Sequence, residues 1–155
     1  MIIRRAEIRD IDRILKLLSQ VLEIHAKIRP DIFISCTTKY TREQLTDIIS
    51  DDTRPIFVAD NGDKVVGYAF CVIRRAAFET TMKPRKTLYI DDLCVDDCAR
   101  GFGVGKTLFN YVKEFAAKNG FDDVTLAVWQ GNDSARAFYE KMGMTPQETI
   151  MELKI

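Results

Sequence analysis

Arg100-Gly101-Phe102-Gly103-Val104-Gly105-Lys106 is the stretch on which the fold turns. It follows Thr87 to Val95, an apolar run that reads as a strand, and opens Gly103 to Lys118, whose apolar spacing reads as a helix. Three glycines at a strand-to-helix junction let the backbone turn sharply and approach a ligand closely. The unpaired N–H groups of the helix start, and the helix dipole behind them, favour an anion there. Arg100 and Lys106 add positive charge at either end, so the loop reads as a phosphate cradle.

Two phosphate cradles are excluded by spacing. A nucleoside-triphosphate loop needs a glycine five positions before its Gly-Lys-Thr, and Arg100 stands there ahead of Gly105-Lys106-Thr107. The dinucleotide fingerprint needs two residues before its third glycine, whereas Gly101, Gly103 and Gly105 are evenly spaced. A third pattern does match: Arg-x-x-Gly-x-Gly, occupied by Arg100, Gly103 and Gly105. Downstream, a strand-like Asp123 to Trp129 precedes Asn132-Asp133-Ser134-Ala135-Arg136-Ala137-Phe138-Tyr139, with Gly143-Met144 at the helix end. In that order and at that separation, the two segments resemble the acyl-CoA loop and the later Asn-x-x-Ala-x-x-Phe-Tyr motif of the GCN5-related N-acetyltransferases (GNAT). The resemblance covers roughly residues 87–144.

The chain has 155 residues, 46% of them hydrophobic, with 23 basic and 23 acidic side chains and no formal net charge. That composition predicts one globular domain, residues 1–155, large enough to bury a core. It carries no basic excess of the kind a nucleic-acid binder needs. No apolar run approaches membrane-spanning length, and the start turns charged at Arg4, unlike a signal peptide. Cys36, Cys71, Cys94 and Cys98 lack Cys-x-x-Cys spacing, and His25 is the one histidine, so no metal site is expected. Unpaired thiols suit a reducing cytoplasm.

Outward from the centre, residues 2–5 read as a strand. Asp10 is placed to cap a long helix carrying Ile11, Ile14, Leu15, Leu18, Val21 and Leu22 on one stripe, stopped at Arg29-Pro30-Asp31. Thr41-x-x-Gln44 is a capping-box signature for a helix to about Ile49. Pro55 to Ala59 and Val65 to Arg74 read as strands joined by an Asn61-Gly62-Asp63 turn, and residues 76–86 as a loop. Asp96 and Asp97 read as a solvated turn. Gln147 to Ile155 alternates and reads as a terminal strand, giving the order β, α, α, β, β, β, α, β, α, β.

The resemblance implies an α/β fold with a twisted mixed sheet, helices on both faces, and a central parallel pair, 87–95 and 123–129, splayed at its C-terminal ends. It implies acetyl-CoA as cofactor, with the 100–106 loop (Arg100, Gly101, Phe102, Gly103, Val104, Gly105, Lys106) on the pyrophosphate. Leu93, Cys94 and Val95 would pair through their backbone with pantetheine and the acetyl carbonyl. Asn132 would contact pantetheine, although asparagine is also a good helix N-cap. Tyr139 would stand by the sulfur and protonate the leaving thiolate; as a residue of an amphipathic helix it could equally be core. The family usually has two strands after its last helix, but only twelve residues follow Gly143.

Asp91 and Asp92 interrupt an apolar strand, where aspartate is disfavoured. Consecutive strand residues face opposite sides, so at most one should enter a given pocket unless the strand bulges. Tyr89-Ile90-Asp91-Asp92 with Arg100-Gly101-Phe102-Gly103-x-Gly105 resembles the spermidine/spermine acetyltransferase branch, which has Glu-Asp at this strand position. The resemblance implies that Asp91 draws the acceptor amine and relays its proton, with Asp92 supporting. His25, Arg29 and Asp31 are weaker acceptor-site candidates. The resulting expectation is direct acetyl transfer, in a ternary complex, to a primary amine of a small cationic molecule. No nucleic-acid or membrane partner is expected, and a homodimer is admissible. A peptide or protein acetyltransferase and a non-catalytic acyl-CoA-binding module are the alternatives.

Overall fold

A computed structural model describes residues 1–78 and 80–155. Five strands form one sheet in chain order: β1 (Ile2–Arg5), β2 (Ile56–Asp60), β3 (Val65–Arg75), β4 (Lys86–Val95) and β5 (Asp123–Leu126). The first four are antiparallel neighbours, and β4 and β5 are parallel. A parallel pair needs a crossover, and α3 (Val104–Lys118) supplies it. Helices α1 (Ile11–Ile28) and α2 (Arg42–Ile49) cover one face, and α4 (Asp133–Lys141) follows β5. Of the loop expected at 76–86, Glu79 lies outside the described residues.

Each face has its own core. Ile11, Ile14, Leu17 and Leu18 of α1 and Leu45 and Ile48 of α2 pack on Val58, Tyr68, Phe70 and Cys94. Val104, Leu108, Phe109, Val112 and Ala116 of α3 pack on Phe57, Ala69, Leu88 and Ile90, with Phe138 and Tyr139 of α4 against them. Each fully buried Leu, Ile or Phe stabilises the fold by about 1.5–3 kcal/mol. At Gly67, β3 packs tightly between β4 and α3: a Cβ there would lie 2.8 Å from the Cys94 carbonyl oxygen and 3.0 Å from Leu108 Cδ1.

Several local readings stand. Thr41 Oγ1 accepts from the Gln44 amide at 3.2 Å, and Gln44 Oε1 returns the bond to Thr41 N–H at 2.9 Å. Gly62 has φ +99° in the β2–β3 turn. Others are corrected. Asp10 does not cap α1 with its side chain; its carboxylate binds Arg4 and accepts from the Glu7 amide, closing a 3-10 turn at Ile8–Asp10. Asp96 is buried rather than solvated, held by Arg13 and by Gln20 and the Cys98 amide, each at 3.4 Å. β5 ends at Leu126, not Trp129. The terminal strand does not form: residues 145–155 have no regular structure, because alternation makes a strand only where a neighbouring edge accepts its hydrogen bonds.

Candidate active site

The parallel pair ends early. β4 and β5 are in register from Thr87↔Asp123 to Ile90↔Leu126. β4 then runs on through Val95 while the chain after Leu126 leaves it. The β5-facing backbone groups of Asp92 to Val95 therefore have no strand partner among the described residues. A wedge opens there, lined with unpaired peptide groups, and an amide-bearing chain could pair with them. Leu93 and Val95 turn their side chains into the α3 core. Cys94 faces α1, its thiol 3.5 Å from the Leu17 carbonyl oxygen and pushed up to about 12 by burial, so it stays a neutral packing group.

A bulge decides which way the aspartates face. On β3, Phe70 pairs with Asp92 and its successor Cys71 pairs with Ile90, so Asp91 is an extra residue in β4. The side-chain alternation resets there: Leu88 and Ile90 before it, and Leu93 and Val95 after it, all reach the α3 core. Asp91 and Asp92 thereby both turn toward the α1–α2 side. The Asp91 carboxylate accepts from Lys39 Nζ at 2.6 Å and from the Tyr40 hydroxyl at 3.4 Å. Asp92 accepts from the buried Tyr68 hydroxyl at 2.8 Å.

These surroundings set the charges. Burial pushes the Asp92 carboxyl up to about 6, with the Tyr68 hydrogen bond and the Lys39 charge opposing it. Burial works against the Lys39 ammonium, but its bond to Asp91 prevails and raises its pKa. Burial, then the nearby Asp92 and Cys94 groups, raise Tyr139 above its ordinary value, so its phenol keeps its proton at neutral pH. Tyr139 packs against Phe138 and Phe109, with ring centroids 5.1 and 6.1 Å away. Its hydroxyl has no hydrogen-bond partner among the described residues.

The glycine loop has the form its spacing implies. Gly101 and Gly103 have φ +83° and +79°, and a Cβ on either would meet nothing within 4 Å, so the outer side of the loop is open. Gly103 is the N-cap of α3 with no capping side chain, and Thr107 N–H makes the first bond back to the Gly103 carbonyl oxygen at 3.0 Å. The amides of Val104, Gly105 and Lys106 are left with no helical acceptor. Val104 buries its side chain in the core, Gly105 sits 3.5 Å from Phe138 and Val95 at its Cβ position, and Phe102 and Lys106 are exposed. Arg100 is tied back, with Nε 3.3 Å from the Val95 carbonyl oxygen and an ion pair to Asp97 at 2.7 Å. Asn132 caps α4, accepting from the Ala135 amide at 3.4 Å.

The weaker candidates cluster with one another around Phe33 and Trp129. His25 lies 5.2 Å from the Phe33 ring, which meets Trp129 edge-on at 5.4 Å, and the Arg29 guanidinium stands 5.6 Å from the Trp129 centroid. Burial, then the Lys39 charge, lowers the His25 pKa. Arg29 and Asp31 are paired at 2.8 Å. Sequence reasoning missed Lys39, Tyr40 and Tyr68, which reach the aspartates only through tertiary packing. A concavity of about 210 Å³ between Tyr40, Asp47, Asp51 and Arg54 shares only Tyr40 with this candidate site. No cluster of three metal-ligating side chains occurs among the described residues, and no helix is long and apolar enough to cross a membrane.

Comparison with known proteins bears on the family and the fold. Residues 18–144 match the acetyltransferase (GNAT) family. The BH1408 protein of Bacillus halodurans, solved as a mutant, is 34% identical, covers 100% of this chain and 99% of its own, and superposes with a TM-score of 0.94. An uncharacterized N-acetyltransferase of Methanocaldococcus jannaschii is 29% identical over 72% of this chain and 48% of its own length. The chain thus spans about half the length, or less, of the curated relatives it matches. An aminoglycoside acetyltransferase from an uncultured soil sample, solved with trehalose, shares the fold at 21% identity and a TM-score of 0.75, over 99% of this chain and 94% of its own.

Proposed function

Because the chain belongs to the acetyltransferase (GNAT) family of N-acetyltransferases, we propose that its 155 residues act as one domain that moves acetyl from acetyl-CoA directly to a primary amine of a small cationic acceptor. Acetyl-CoA, the family's donor, supplies an acetyl thioester with a thiolate leaving group. The cradle fits its pyrophosphate: two positive-φ glycines leave open space, and three first-turn amides of α3 lack acceptors. The unpaired backbone of Leu93, Cys94 and Val95 suits the pantetheine amides and can present an N–H to the acetyl oxygen. Asn132, the N-cap of α4, would contact pantetheine, as the family motif implies. With Arg100 held by Asp97, the loop amides carry the phosphate contact and Lys106 adds charge.

Proton handling follows from the surroundings of each group. An alkyl amine arrives as an ammonium and must lose a proton before it can attack. Asp91 draws the cation; Lys39 holds that position in its absence and is displaced by it. Asp92, tuned to about 6, takes a proton near neutral pH. On the other side, the Tyr139 phenol holds a proton for the departing sulfur. The bulge at Asp91 carries this reading, since it turns two successive carboxylates to one side of the wedge.

Two polycation classes suit this charge pair. The branch resemblance in Tyr89–Asp92 and Arg100–Gly105 favours linear polyamines, and the shared architecture of the soil aminoglycoside acetyltransferase suggests aminoglycosides. With acetyl-CoA as donor and four unpaired thiols, cytoplasm is the compartment we propose. The test is thiol release from acetyl-CoA across polyamines, aminoglycosides, amino acids and basic peptides. Turnover confined to small polycations supports the reading. Preference for a neutral or anionic acceptor, or for peptides, overturns it.

A further inference from the structure

One lysine of the chain already stands where an acceptor amine would wait. Lys39 Nζ lies 2.6 Å from Asp91 Oδ2, and it is a primary alkyl ammonium, the same functional group as the proposed acceptor. The segment that carries it is fixed on both sides. Tyr40 stacks on Phe70 with ring centroids 5.7 Å apart; its hydroxyl donates to Asp91 at 3.4 Å and accepts from Arg54 Nη2 at 3.3 Å. Thr38 Oγ1 donates to the Tyr40 carbonyl oxygen at 2.9 Å, and the Thr41–Gln44 capping box starts α2 just beyond. The Lys39 stem turns back over Tyr40, with Nζ 5.5 Å from the ring centroid.

This placement is particular to Lys39. The other lysine ion pairs among the described residues are Lys64 with Asp96, Lys118 with Glu114 and Lys154 with Asp31, all outside the Asp91–Asp92 pair. The contact can also open. The Lys39 and Asp91 side chains keep 41% and 26% of their surface exposed. An ion pair so exposed is weak, and a flexible lysine stem can swing its amine off the carboxylate.

On the reading that an acceptor amine waits at Asp91, we propose that the enzyme acetylates its own Lys39, which is thereby a modification site as well as a latch. Lys39 leaves Asp91 and gives one proton to Asp92, which passes it to water. The Lys39 nitrogen then forms a C–N bond to the acetyl carbon of acetyl-CoA, and the thioester C–S bond breaks. Tyr139 gives its phenolic proton to the departing sulfur and is reprotonated, through water, by the second proton leaving the Lys39 nitrogen. The product amide is neutral and cannot pair with Asp91 as an ion. The carboxylate is freed for an external amine, so one turnover on the chain itself unlocks the site.

Intact-mass spectrometry of the full-length protein incubated with acetyl-CoA alone should show a gain of one acetyl group. Peptide mapping should find it on Lys39 at least about tenfold faster than on any other lysine. Modification spread evenly over exposed lysines overturns the proposal. The rate constant should not change with protein concentration; a rate that rises with it overturns the intramolecular step. Tyr139→Phe should slow the reaction at least about tenfold, and an equal rate means unassisted chemical acetylation and overturns the proposal. Should that variant fold poorly, the site selectivity and concentration dependence of the unaltered protein decide. Once acetylated, the protein should take an amine acceptor with a KM about 2–5-fold lower; an unchanged or raised KM overturns the unlocking. Thiol release with polycations, measured on the same preparation, separates this inference from the reading beneath it. Polycation turnover with Lys39 unmodified overturns self-acetylation alone, whereas the absence of both reactions overturns both.

Discussion

Asp92→Asn separates what the site costs the fold from what it does for the reaction. Burial holds the Asp92 carboxyl at about 6, against an ordinary 3.8. Two pKa units at about 1.4 kcal/mol each set a ceiling of about 3 kcal/mol. The folded pKa lies above the unfolded one, so the folded chain binds the extra proton between the two values. This group's contribution is fully present below about pH 4 and is lost as pH rises through about 6. Asparagine keeps an oxygen that can accept from the Tyr68 hydroxyl and never ionises. Allowing for partial solvent contact and the Lys39 charge, the variant should gain about 1–2 kcal/mol at pH 8, or about 2–8 °C in Tm for a chain of this size. Thermal unfolding of both proteins from pH 5 to pH 8 should show the gap widening with pH, while acetyl transfer falls by about 10²–10⁴-fold. A gap that does not change with pH, or a variant less stable at pH 8, would refute the claim that Asp92 is held ionised against its desolvation.

The other expectations concern single contacts. Tyr139→Phe keeps the ring against Phe109 and removes the proton; kcat should fall by about 10²–10⁴-fold with acetyl-CoA affinity unchanged, and unchanged kcat with chemistry rate-limiting would make Tyr139 a packing residue. Gly103→Val puts a side chain at φ +79°, costing about 1–2 kcal/mol, and fills the open side of the loop; calorimetry should show at least about tenfold weaker CoA binding, and parental affinity would remove the pyrophosphate from this loop. Lys39→Met takes the competing ammonium off Asp91. A partly exposed ion pair is worth about 0.5–1 kcal/mol, so KM for an amine acceptor should drop about 2–5-fold, and a rise would make Lys39 part of acceptor binding.

What could be read from the sequence was local chemistry. The glycine loop, the Asn132 cap and the Thr41–Gln44 capping box each depend on a few successive residues whose backbone demands are written in their side chains. The β4, α3 and β5 segments followed from the same local signals, whereas their parallel crossover was implied by the family resemblance. What could not be read depends on register and packing. The pair at Asp91-Asp92 raised the question of a bulge, but only the pairing of Phe70 with Asp92 and Cys71 with Ile90 answers it. Tyr68 and Lys39, which set the charges of the two carboxylates, lie 24 and 52 residues away in the chain. Asp96 looked like a turn residue because nothing near it in sequence announces that Arg13 would meet it. The tail has the alternation of a strand, yet a strand is a relation between two segments and its partner is not beside it.

The most direct test of the account is the pH dependence of kcat/KM for the best amine acceptor, measured side by side in the parent and in Asp92→Asn. With the bulged pair as proton acceptor, the parent should show a rising limb inflecting near pH 6, distinct from the limb set by the acceptor's own amine, and Asp92→Asn should lack it. The same inflection in both proteins would contradict the account.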